Sequence, residues 1–171
     1  MRIITTQIRL SLLVGVFACT PVFVTAQVPQ SSATNGVIRM NSVAKGTFTV
    51  ALKPQPISEV ASGSEIGRMS IDKQFSGDLI GTSKGEMLSA MSAVKGSAGY
   101  VAIERVSGAI GDHAGTFVLQ HSGTMNRGAP TLTVSVVPDS GTDGFKGLSG
   151  ALTIDIVDGK HLYTFNYSLP N

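Results

Sequence analysis

GYVAIERVSGAIGDHAGTFVLQHSG, residues Gly99–Gly123, holds two runs of strand-like alternation separated by a Gly-Asp pair. A glycine leading a two-residue loop suits a type II′ turn, whose backbone twist matches the twist of the strands it joins. With Gly111 and Asp112 as the loop, Ile110 faces His113 and opposed residue numbers sum to 223. Val106 then opposes Phe117, Glu104 opposes Leu119, Ala102 opposes His121, and Tyr100 opposes Gly123. Opposed residues share a face, so Tyr100, Glu104, Phe117 and His121 point the same way. Glu104 and His121 become diagonal neighbours, about 7–8 Å apart at the backbone and within reach of long side chains. Phe117, Leu119 and Val106 make this the inner face, and a slip of one residue would send every one of these side chains to the other side.

Working outward, the same short-strand texture continues in both directions. KGTFTVAL alternates with Phe48, Val50 and Leu52 on one face, and GRMSIDKQF with Met69, Ile71 and Phe75, interrupted by Lys73. LIGTSKGEMLSA, PTLTVSVV, LSGALTIDI and HLYTFNYSL complete the set, the last with Tyr163, Phe165 and Tyr167 on one face. Turn signals (SGD, NRGAP, PDSGTDG, VDGK) lie between them, and no helical period is present outside the N-terminus. About eight closely spaced strands predict an all-β chain closed as an antiparallel β-barrel over residues 45–170. Closure removes exposed strand edges, and about eight strands enclose a lumen that side chains fill or that holds one small ligand.

The first residues belong to something else. Arg2 and Arg9 precede the apolar run LSLLVGVFA, and the chain then reaches VTA before Gln27. A positive start, an apolar middle of about 7–15 residues and small residues before a cut describe a secretory signal, here residues 1–26 with cleavage after Ala26. The run is shorter than the roughly 20 apolar residues that span a bilayer. The alternative is a lipoprotein anchored at Cys19, for which VFAC is a poor processing box, with bulky Phe17 where a small residue is usual. Residues 27–44, polar and aperiodic, read as a flexible leader. The expectation is therefore an exported protein, periplasmic or secreted.

Without residues 1–26 the chain has 11 basic and 11 acidic residues, so the net charge of +2 belongs to the signal. A neutral body without basic runs offers no electrostatic footprint for nucleic acid or anionic lipid. Cys19 leaves with the signal, so the mature domain forms no internal disulfide.

Motifs that carry chemistry elsewhere fail here on geometry. SIDK (Ser70–Lys73) and SVAK (Ser42–Lys45) match S-x-x-K, but on a strand residues three apart face opposite sides. His113, His121 and His161 have no metal-ligand spacing, and PDSGTDG lacks the ligand series of a calcium loop. No glycine-rich loop precedes a helix. The sequence therefore calls for no metal and no cofactor. What stands out is the set of polar groups on inner faces: Lys73, Tyr100, Glu104, His121, Tyr163 and Tyr167 as ligand contacts, with Glu104 and His121 as candidates for proton transfer. Buried charges are costly unless paired, so these groups are expected to cluster, and Glu104 to have a raised pKa if Lys73 is not beside it. The competing reading is a Glu–His or Glu–Lys contact that only ties strands together.

GRMSIDKQFSGDL, EMLSA, KGSAGYVAIERVSG, FVLQHSGTM and VVPDSGTDGFKGLSG resemble a family of small bacterial proteins grouped as domain of unknown function 3224, over about residues 44–170. That family is similar in fold to allene oxide cyclase-like, calycin-like barrels of eight antiparallel strands. SGTDGFKGLSG also resembles the GTG-x-F turn of allene oxide cyclases and dirigent proteins, with Asp143 where their second glycine stands. The resemblance implies an apolar ligand, cyclisations guided by a shaped lumen, and homo-oligomers. It supplies no catalytic residue. Fold analogy is an associational warrant for function and no more.

Three readings follow. The barrel binds a small apolar or amphipathic molecule in its lumen. Alternatively it is a cofactor-independent cyclase or isomerase, folding its substrate into a reactive shape with Glu104 or His121 moving a proton. Or it is a structural or interaction protein whose lumen is core, filled by Phe48, Met69, Phe117 and Phe165. Lumen room on the order of 300 Å³ separates the first two from the third.

Overall fold

The computed structural model describes residues 39–59 and 65–170. Cys19, the segment read as a signal and the leader up to residue 38 lie outside the described residues. Eight strands follow in chain order: β1 (Arg39–Gln55), β2 (Ile66–Gly77), β3 (Leu79–Met91), β4 (Ala98–Ile110), β5 (His113–Asn126), β6 (Ala129–Val136), β7 (Ser149–Val157) and β8 (Lys160–Pro170). Each pairs antiparallel with the next, and β8 closes on β1, giving a closed barrel.

The β4–β5 hairpin has the predicted register, with Glu104 opposite Leu119 and Ala102 opposite His121. Gly111 takes φ +56°, the left-handed backbone that the first position of a II′ turn requires. β4 also shows why the turn, rather than hydrophobicity, assigns its faces. Ala102, Glu104 and Val106 are buried, while Val101 and Ile103 are about half exposed on the outer wall.

β1 starts earlier than its alternating stretch indicates. Residues 39–44, read from sequence as part of the leader, pair with residues 165–170 of β8. Their register is set by a partner more than a hundred residues away, which local pattern does not reveal.

The wall is uneven. Between β6 and β7 the ladder is a single pair, Ser135 with Ala151. β1 loses β8 after Phe48, opposite His161, and its residues 49–55 pair with β2 alone. One end of the barrel, carrying the β7–β8 turn, is therefore open on the flank formed by β6, β7 and β8.

The other end is filled. Phe117 meets Phe145 edge-on at 5.1 Å and stacks on Phe165 at 5.8 Å. Phe75 meets the Tyr163 ring at 5.7 Å and Phe48 at 5.4 Å. Phe145 comes from a short 3-10 turn, Asp143–Phe145, in the connection between β6 and β7. Thr142 straps this segment to β5: its N–H donates to the Thr116 carbonyl (2.8 Å), and its hydroxyl accepts from the Thr116 N–H (3.0 Å). Asp143, at the position where the resembling turns have glycine, has φ +52°, a left-handed conformation that aspartate tolerates better than most residues. The connection plugs the barrel with Phe145 and Leu148, both essentially unexposed. This end of the lumen is therefore core: Phe117 and Phe165, two of the four residues named above as lumen fillers, pack there with Phe145 and Leu148.

Candidate functional site

Above the aromatic plug the inner wall turns polar. Glu104 is completely buried, and Ser83, His121 and Lys73 are 1%, 4% and 6% exposed. Lys73 Nζ donates to Glu104 Oε1 at 2.7 Å, and His121 Nε2 lies 2.8 Å from the same oxygen. Ser83 Oγ donates to Glu104 Oε2 at 2.6 Å. The carboxylate thus accepts three hydrogen bonds from three different strands, the arrangement a buried charge requires. The Lys73 ammonium also lies 4.7 Å from the centroid of the Phe48 ring, within range of a cation–π attraction.

Local backbone geometry makes the cluster fit. Gly85 lies opposite Glu104 on β3. A Cβ there would meet the Ile103 carbonyl oxygen and sit 2.6 Å from the Cα of Glu104. Only glycine lets β3 approach β4 this closely where the glutamate turns inward.

Burial pushes the Glu104 carboxyl up, but the His121 hydrogen bond, the charge and hydrogen bond of Lys73, and the Ser83 hydrogen bond outweigh it and hold the carboxyl at about 2. The raised value expected in the absence of Lys73 therefore does not arise, because Lys73 is present. A carboxylate this weakly basic takes up few protons near neutrality, which argues against Glu104 as a general base. A depressed carboxyl adds stability that is fully present above its ordinary range and lost as pH falls toward its folded value. Unfolding free energy from urea titrations is expected to fall by about 3 kcal/mol between pH 5 and pH 2 on this account. Glu104→Gln, with no carboxyl to titrate there, should show a flatter profile; an identical slope would detach the acid sensitivity from this site.

The other residues singled out from sequence separate into two groups. Tyr100 is half-buried, its ring over Gly123. Burial first, then the Glu104 charge, pushes its phenol up, so its hydroxyl stays protonated as a donor. Tyr163 and Tyr167 make no hydrogen bond to the cluster. Tyr163 Oη accepts the Leu79 N–H at 2.9 Å, and burial, offset by that bond, pushes its phenol up. Tyr167 stacks on Phe165 at 5.2 Å. Both line the plugged half. Ser83 was not found by sequence reasoning, and the signal was there: in the β2–β3 hairpin it lies directly opposite Lys73.

Toward the open end the inner wall is apolar and exposed. Leu52, Met125, Leu132 and Ile156 share faces with Ile71, Ala98, Gly123 and His161, yet are 40–67% exposed. A separate groove of about 580 Å³ runs along the β1–β2 wall beside the β7–β8 turn, lined by outward-facing Thr47, Thr49, Gln74 and Ser76 as well as by Phe48 and His161. His161 stacks on Phe48 at 5.0 Å, so one ring connects the groove to Lys73. Shallower grooves of about 380 and 370 Å³ run along the outer wall over Leu88 and Val101. Among the described residues, no three His, Cys, Asp or Glu side chains converge to hold a metal ion.

Comparison with known proteins follows the barrel. The family model described as protein of unknown function (DUF3224) matches residues 44–167. A crystal structure of a protein with unknown function from the DUF3224 family, from Shewanella oneidensis MR-1, is 45% identical with a TM-score of 0.69, covering 75% of this chain and 96% of that one. No curated protein matches the chain.

Proposed function

The chain belongs to the family described as protein of unknown function (DUF3224), and from that premise, which brings a barrel but no activity, we propose that it binds a small amphipathic molecule at its open end. The observation that carries this reading is the exposure of inward-facing Leu52, Met125, Leu132 and Ile156 directly above a buried polar cluster. A concave apolar wall with a few convergent polar groups is the usual form of a ligand pocket. The apolar body of the ligand rests on that wall, and its polar end faces Lys73, Tyr100 and His121. We place this binding in an exported protein, on the strength of the signal-like residues 1–26. The cyclase reading has less support, because Glu104 is held as a very weak base.

Titration with Nile red, an uncharged dye whose emission rises in apolar surroundings, tests this. Saturable binding is expected. Leu132→Arg, at the mouth, should weaken it by about tenfold or more, since an arginine there charges the apolar wall. Val101→Arg, on the outer wall, should leave it unchanged. The reverse pattern would move the dye to the outer grooves and end the proposal. Mass spectrometry of natively purified protein then identifies what it carries.

A further inference from the structure

The polar cluster constrains what kind of head group the mouth accepts. This step rests on the mouth reading above and adds the charge of the ligand. Lys73 and Glu104 are a buried ion pair, and their charges cancel within one hydrogen bond of 2.7 Å. Glu104 has one oxygen taken by both Lys73 and His121 and the other by Ser83. The site therefore already contains its own counter-ion. A carboxylate or phosphate brought to Lys73 would also stand beside the Glu104 carboxylate, and an amine brought to Glu104 would stand beside the Lys73 ammonium. Either adds an uncompensated charge to a site that is nine-tenths or more shielded from water.

The donors and acceptors are less balanced than the charges. Lys73 Nζ gives one of its three N–H bonds to Glu104, and Phe48 offers it only a ring face. Tyr100, on the same strand face as Glu104 and four residues nearer the open end, carries a second donor in its hydroxyl. The two remaining Lys73 N–H bonds, shielded from water, call for an oxygen that brings no charge.

We infer that the ligand is an uncharged amphiphile whose polar end is a hydrogen-bond acceptor, such as a ketone, ester or ether oxygen, placed against Lys73 and Tyr100. The barrel discriminates against fatty-acid-like anions and against amines of the same length.

Three ten-carbon molecules differing only in their heads test this: decan-2-one, decanoic acid and decylamine, each displacing Nile red at neutral pH. The ketone should displace the dye at concentrations about tenfold or more below those of the acid and the amine. An acid or amine that competes as well as the ketone overturns the inference. Glu104→Gln leaves the Lys73 charge uncompensated, so the acid should gain about tenfold or more relative to the ketone. Should that variant fail to fold, Lys73→Met combined with Glu104→Gln removes both charges together. It should still reject acid and amine; a double variant that prefers the acid overturns the inference as well. If Nile red binds at the mouth and none of the three displaces it, the head-group inference falls and the mouth reading stands. If the dye itself does not bind, both fall.

Discussion

Lys73→Met is expected to destabilise the barrel by about 3–5 kcal/mol, because it leaves a fully buried carboxylate without its charge partner. Methionine nearly preserves the length and apolar contacts of the lysine stem, so little of this loss is packing. Without the ammonium, burial is less strongly opposed, and the Glu104 carboxyl moves up from about 2. The deficit of the variant should therefore shrink as pH falls through that raised value and the carboxyl becomes neutral. Adding Glu104→Gln should restore most of the lost stability, since removing both members of a buried pair is often neutral. Urea midpoints of the two single variants and the double variant measure all three effects. A loss below about 1 kcal/mol in Lys73→Met would mean that water reaches Glu104 freely, as it does for exposed pairs.

Phe117→Ala is expected to cost about 3–5 kcal/mol as well, for a different reason. Its ring is wholly buried and touches Phe145 and Phe165, so truncation removes contacts from β8 and from the plug together. Nile red binding should persist in this variant, because the ring lies in the filled half of the barrel. Stability and binding measured on the same sample check both statements. If truncating Phe117 left the stability unchanged while altering dye binding, the filled half would be a ligand chamber rather than core.

These two residues also mark how far the sequence could be read. The hairpin register that brings Glu104 to His121 follows from one Gly-Asp turn and strand parity, both local properties. Lys73 was legible as an interruption in an apolar face, and its meeting with Glu104 follows once β2, β3 and β4 pair as consecutive strands. Phe145 was not legible as a plug. It sits in a connection whose glycines and aspartates read as turn, and nothing periodic says that such a segment folds back into the barrel. Ser83 was hidden in LIGTSKGEMLSA, a stretch with so little apolar alternation that its inner face depends on pairing with β2. Tyr163 could be placed inside from its face. Whether its hydroxyl served a ligand or the Leu79 amide depended on the β8–β1 closure, between residues far apart in sequence. Elements set by neighbours in the chain were readable; elements set by distant partners were not.

The single Ser135–Ala151 pair between β6 and β7 has a mechanical meaning. A tube joined along seven firm edges and one weak one is close to a rolled sheet held by a clasp. Its cheapest distortion is to part at that clasp, since the least-bonded segments of a fold open first. Leu132 and Ile156, at the mouth, sit on the two strands that would part. Under the binding proposal, entry would then need no dedicated hinge loop: the two strands that complete the wall would also form the door.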